Sequence, residues 1–255
     1  MTRLRDEGAQ AWSGEPEFPA KGTDEPHRPA SSVGHAVLVM LREVTLVVGI
    51  ALGLSLLIKT FLMQAFYIPS ESMQNTLQVG DRVLVSKLTP GPFDLHRGDI
   101  VVFSDSGHWL PATAGESHAG VGEAVRNVLT FVGLLPADSS DHLIKRVIGM
   151  PGDTVACCDS KGRVTVNGVA VNEPYLYPGN SPSEEDFTVT VPAGSVWVMG
   201  DHRANSQDSR YHRSVRDGTV PIDDVVGRAF VVVWPLDRTG VLHRPSDAFQ
   251  AVSNG

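Results

Sequence analysis

A mainly β protein behind a single N-terminal transmembrane helix is the fold class this sequence predicts, and three observations predict it. Residues 44–66, VTLVVGIALGLSLLIKTFLMQAF, run for 23 residues with one charge, Lys59. At ~1.5 Å per residue that is roughly 34 Å of helix, enough to cross a hydrocarbon core. Beyond it the chain breaks into short runs of Val, Ile, Thr and Phe bounded by Gly, Pro, Asn and Asp, the punctuation of β-sheet. No strand-helix alternation follows, which argues against a doubly wound α/β sheet.

Composition sets outer bounds. The chain has 255 residues, 42% hydrophobic and 20% charged, with a formal net charge of -8. Length allows one or two domains. An acidic balance argues against a protein built to neutralise phosphates, so nucleic acid is not an expected partner.

Taken in order, residues 1–32 are rich in Pro, Gly, Ser and acidic side chains. They cannot bury enough apolar surface to offset chain entropy and read as a disordered tail, too long and too polar for the start of a cleavable signal peptide. Arg42 and Glu43 mark the near edge of the span, and Lys59 near the far edge can snorkel to the headgroups. Arg28 and Arg42 flank one end and Lys59, Arg82 and Lys87 the other, so charge alone leaves the orientation open. The expected organisation is a tail over 1–35, an anchor over 36–66, a β domain over 67–240 and a C-terminal tail over 241–255.

Strands are expected at 82–86, 99–103, 143–148, 154–156, 164–166, 187–191, 195–199 and 225–234, with Asn167-Gly168 as a hairpin turn. The interval 104–142 stands apart as an insertion. Its middle, GVGEAVRNVLTFVGLLP, is helix-compatible, but Glu123, Arg126 and Asn127 interrupt the apolar run. A surface or interfacial helix fits it better than a second span. The only cysteines are the neighbours Cys157 and Cys158. They form no C-x-x-C site and read as two semi-buried thiols at a strand end, or else as a strained or intermolecular disulfide.

Three polar strings carry the candidate chemistry. The first, IPSESMQNTL at 68–77, directly follows the span. A serine such as Ser70 or Ser72 is ordinarily a helix N-cap, but Ser72 lies six residues past Phe66, at most about 20 Å from the bilayer edge. A site there faces membrane-bound substrates. The second is LIKRVIGMPGD at 143–153. Strand alternation puts Leu143, Lys145 and Val147 on one face, so Lys145 sits between apolar neighbours. Desolvation then lowers its pKa and lets it accept a proton, unless it is merely an edge-strand lysine that blocks aggregation. The third, MGDHRANSQDSR at 199–210, is a solvated loop or a charge-assisted network among Asp201, Arg203, Asp208 and Arg210 that holds Ser206.

Other chemistries lack their patterns. No H-E-x-x-H or Cys/His spacing suggests zinc, GMPGD lacks the Lys and Ser/Thr of a phosphate loop, and no G-x-S-x-G elbow supports a Ser-His-Asp triad. S-x-x-K is missing too, since position 75 is Asn. Ser72 with Lys145 is the better dyad.

Together PSESM, RGDIVVF, KRVIGMPGD and GDHRANSQDSR, in this order after a span and within residues 40–240, resemble the bacterial type I signal peptidases. These are membrane-anchored serine endopeptidases that remove signal peptides from exported preproteins. The resemblance implies a signal-peptidase or repressor-protease-like β domain outside the cytoplasmic membrane and an N-terminal tail in the cytoplasm. It implies Ser72 as nucleophile, Lys145 as general base, and Ser70 with the Ser72 N–H as oxyanion hole. Ser206 resembles the hydroxyl that orients the lysine, Asp208–Arg210 and Asp201–Arg146 the supporting ion pairs, and Ile68 and Ile144 the lining of subsites for an A-x-A site. Exported preproteins and membrane lipid are the implied partners, and no metal, nucleotide or other cofactor is implied.

Asn75, His202 and Ala204 depart from the family's usual Pro, Asn and Asp, which touches local loop geometry. Two other classes compete. Self-cleaving repressors share such a dyad but are soluble and carry DNA-binding helices; a non-catalytic or specialised anchored paralogue would act on a dedicated substrate.

Overall fold

The computed structural model describes residues 33–110 and 142–252. The expected N-terminal tail and the helix inside the insertion lie outside the described residues. Two compact units divide the chain, Met1–Leu46 and Val47–Gly255, with the boundary inside the first helix.

That helix, α1 (Val33–Phe61), is 29 residues long and ends with Lys59 in its last turn. Within Gly34–Phe61 the most apolar 18 residues have a mean hydropathy of 2.2 and none of that stretch is buried by the protein, so the helix is long and apolar enough to cross a membrane. Both ends differ from the expectation. The helix starts before residue 44, taking in Arg42 and Glu43, because no Pro interrupts the helical pattern there. It stops short of residue 66, because Met63–Tyr67 form strand β1. Apolar composition cannot separate the last turn of a span from a buried strand; pairing can.

The β domain continues with β2 (Arg82–Ser86), β3 (Ile100–Ser104), β4 (His142–Gly149), β5 (Thr154–Cys157), β6 (Thr165–Val166), β7 (Val169–Ala170), β8 (Phe187–Thr190), β9 (Ser195–Met199), β10 (Val220–Pro221), β11 (Val225–Trp234) and β12 (Gly240–Val241). Eight strands form one sheet in the order β1-β2-β11-β3-β4-β9-β10, with β12 beside β11, and four form a second in the order β7-β6-β5-β8. Every pairing is antiparallel. The class is the mainly β one expected.

The hairpin turn is where the sequence places it: Asn167 and Gly168 both take positive φ, 53° and 77°, between Val166 and its partner Val169, as a type I′ turn requires. Central strand β4 is buried along both faces. Ile144 joins a cluster with Phe66, Ile68, Met73 and Val83 on one side, and Leu143 and Val147 join one with Phe103, Trp109 and Val198 on the other. A third cluster packs the small sheet around Trp197. Phe249 and Val252 belong to it, so the stretch expected as a C-terminal tail closes the core instead. Cys157 and Cys158 are joined to each other, which replaces the two-thiol expectation.

Candidate active site

The Ser72 loop hangs between β1 and β2. Its base is tied by Ile68 N–H donating to Asp81 O and Gly80 N–H donating to Ile68 O, at 2.9 and 3.0 Å. Met73 and Leu77 are fully buried and pin its far side into the core. Successive turns, Gln74 N–H to Glu71 O and Leu77 N–H to Met73 O, leave Ser72 facing inward, 6% exposed. Ser70 is exposed, with its Oγ 3.4 Å from Ser72 Oγ.

Lys145 projects from β4 to meet it. Its Nζ lies 2.8 Å from Ser72 Oγ and 3.1 Å from Ile144 O. Burial pushes the ammonium down to about 8, against the opposing pull of Asp208 and Asp201. Burial wins because both carboxylates are already committed to arginines. Arg146, the next residue on β4, donates from Nε and Nη2 to Asp201 at 2.8 and 2.6 Å. It also donates to Gly98 O at 2.8 Å and stacks over the Tyr175 ring. Arg210 grips Asp208 through two 2.9 Å bonds, and Gly200 N–H donates to the same carboxylate. Burial pushes the Asp208 carboxyl up, but the Arg210 bonds win and hold it below the usual range.

The third string reaches the Ser72 loop through one backbone bond, His202 N–H to Ser72 O at 3.0 Å. Gly200 makes that approach possible: a Cβ there would stand 2.2 Å from Ser206 Oγ and 2.5 Å from Ser72 O. Ser206 is buried, close enough to Asp208 to depress its carboxyl, yet its Oγ makes no hydrogen bond of ordinary geometry among the described residues. The structure therefore brings Ser70, Ser72 and Lys145 together, forms both expected ion pairs, and leaves Ser206 beside the group without a bond to Lys145. Ile68 and Ile144 are buried together beneath the loop.

Sequence reasoning misses part of the network. Arg203 pairs not within its own string but with buried Glu173, which also accepts from Tyr175 Oη at 2.9 Å. Thr76 bridges Asp201 and Arg146. The available signal was a lone carboxylate, Glu173, in the otherwise uncharged VNEPYLY; nothing local names its partner. Asn75 has φ 85°, closed to proline, and its amide donates to the carbonyls of Tyr175 and Leu176. His202 stacks on Tyr177 at 4.1 Å.

A buried serine meets a buried lysine on a β scaffold, and the family this chain matches makes it a hydrolase of the serine-peptidase type. The family described as Signal peptidase, peptidase S26 matches residues 41–234, and the chain belongs to it. It is 40% identical over 228 residues to a probable signal peptidase I of Mycobacterium leprae, covering 78% of each chain. It is 39% identical over 244 residues to a signal peptidase I of Mycobacterium tuberculosis, covering 88% of this chain and 80% of that one. A crystal structure of a signal peptidase I from Enterococcus faecalis aligns over 53% of this chain and 97% of that chain, at 26% identity and a TM-score of 0.34.

Proposed function

We propose that this chain is a membrane-anchored endopeptidase that removes N-terminal signal peptides from exported preproteins at small-x-small sites through a Ser72–Lys145 dyad. The observation that carries the reading is the 2.8 Å contact between Lys145 Nζ and Ser72 Oγ in a site from which water is largely excluded. Neutral Lys145 takes the Ser72 proton as Oγ attacks the scissile carbonyl. Ser70 Oγ–H and the Ser72 N–H receive the charge that develops on the carbonyl oxygen. Collapse expels the amine of the mature protein, which takes the proton from Lys145, and a water deprotonated by Lys145 then hydrolyses the acyl-enzyme.

Asp201–Arg146 ties β4 to the third string, Asp208–Arg210 braces that string within itself, and Ser206 is the hydroxyl that orients the lysine. Ile68 and Ile144 form an apolar floor suited to small side chains. Helix α1 is the anchor, with residues 1–32 cytoplasmic and the β domain outside. Sharing a membrane with the preprotein raises effective concentration. The test is cleavage of a preprotein bearing an A-x-A site by the full chain in detergent. Wild type should cut at the expected bond while Ser72→Ala and Lys145→Ala, equally folded by circular dichroism, should not; robust cutting by either variant sinks the dyad.

A further inference from the structure

Away from the dyad, a cleft of about 560 Å³ opens beside the loop that follows β2. Ser86, Thr89, Phe93, Asp99, Arg228 and Arg244 line it. Asp99 is the unusual member. It is 3% exposed, and its Oδ1 has no hydrogen-bond partner among the described residues. Arg228 Nη1 comes only to 3.7 Å, and Arg244 lines the cleft from the chain beyond β12. Burial pushes the Asp99 carboxyl up, against a backbone bond from His96 and the pull of Arg228, Arg244 and the His96 ring. A carboxylate whose Oδ1 lacks a hydrogen bond, with Arg228 at 3.7 Å and Arg244 lining the same cleft, is complementary to a zwitterion. A donor-bearing ammonium would satisfy Oδ1, and an anionic group would take the arginines.

Position selects the source. Lys87 N–H donates to Leu62 O at 2.8 Å, so the lining loop starts where the chain leaves α1. Met63, Ser86 and Arg228 are register partners across β1, β2 and β11, which sets Arg228 two strand spacings, about 10 Å, from Met63, two residues past the helix end. Phe93 on the rim is 60% exposed, a large apolar side chain without cover.

We propose that this cleft binds the headgroup of an aminophospholipid, with the ammonium on Asp99, the phosphodiester on Arg228 and Arg244, and Phe93 in the bilayer interface. The site rests on the anchor reading of α1. Choline headgroups have no N–H to offer Asp99 and should bind less well.

The experiment is native mass spectrometry of the full chain in detergent with added phosphatidylethanolamine or phosphatidylcholine. Wild type should retain the ethanolamine lipid about tenfold better, the size of one charge-assisted hydrogen bond. Arg228→Gln/Arg244→Gln should lose that preference while cleaving a soluble peptide at the wild-type rate, and Asp99→Asn should lose it too. No preference in wild type, or an unchanged preference in the double arginine variant, overturns the site. Displacement of the lipid by free phosphoethanolamine at equal concentration overturns a lipid source. Alkaline carbonate extraction of cell membranes containing the full chain separates the two readings: a released chain sinks the anchor, whereas a retained chain without lipid preference sinks only the cleft.

Discussion

At the scale of single residues the proposed chemistry turns on Lys145. A lysine near 8 is mostly protonated at neutral pH, so cleavage should climb with pH through about 8 and level off above it when chemistry limits the rate. A pH–rate profile flat from 6 to 9 under single-turnover conditions would contradict a titrating lysine. Losing the base should cost roughly 10²–10⁴-fold, and Lys145→Arg should not restore it, because guanidinium stays charged. The same shift carries a stability consequence. The unfolded chain binds this proton near 10.5 and the folded chain near 8. Stability therefore rises as pH climbs between those values, and below 8 the folded state bears the full cost of a buried ammonium. Lys145→Met should accordingly melt higher than wild type at pH 7 and lose that advantage by pH 10. Equal melting temperatures at both values would show that burial is not what lowers this lysine.

Among the elements, the crossing of the third string over the Ser72 loop has the least tolerance. Gly200→Ala puts a methyl against Ser72 O and Ser206, neither of which is the free end of a long side chain. We expect a loss of about 1–3 kcal/mol in chemical denaturation and a larger proportional loss of cleavage, because the strain falls on the carbonyl of Ser72, the proposed nucleophile. Wild-type activity in a folded Gly200→Ala protein would mean that the two segments separate easily. Glu173 acts one layer back. Glu173→Ala leaves Arg203 charged and 1% exposed without its carboxylate, a change worth roughly 3–5 kcal/mol. Glu173→Gln, which keeps an acceptor, should cost less. Indistinguishable denaturation midpoints for the two would argue that the charge pairing contributes nothing.

For the whole molecule, the boundary between α1 and the β domain is the decision that matters. β1 covers the edge of β2 with five register pairs, Met63↔Ser86 to Tyr67↔Arg82. A chain beginning at Leu62 should therefore be a soluble, monomeric β domain. One beginning at Ile68 loses Phe66 from the core and bares a strand edge, which invites edge-to-edge pairing. Size-exclusion chromatography distinguishes them, and two equally monomeric chains would show that β1 is dispensable to the fold.

The long apolar segment, the β class, the Asn167-Gly168 turn and the three polar strings are legible in the sequence because each is a local pattern: periodicity, run length or turn chemistry. Ser72 and Lys145 are legible as candidates for the same reason. Their meeting is not, since 73 residues separate them and no local rule brings β4 under the Ser72 loop. Glu173–Arg203, the clash that reserves position 200 for glycine, the positive φ of Asn75 and the place of Phe249 in the core are likewise settled only in three dimensions. So is the end of the helix at Phe61, because Met63–Phe66 are apolar enough for either lipid or sheet, and hydrogen bonds to β2 choose the sheet. By itself the sequence determined which chemistry this protein carries and on what kind of scaffold. The tertiary structure alone decided which charges are buried, which carboxylate neutralises which arginine, and hence why one lysine is poised to lose its proton: desolvation and pairing depend on neighbours in space, and chain order does not specify them.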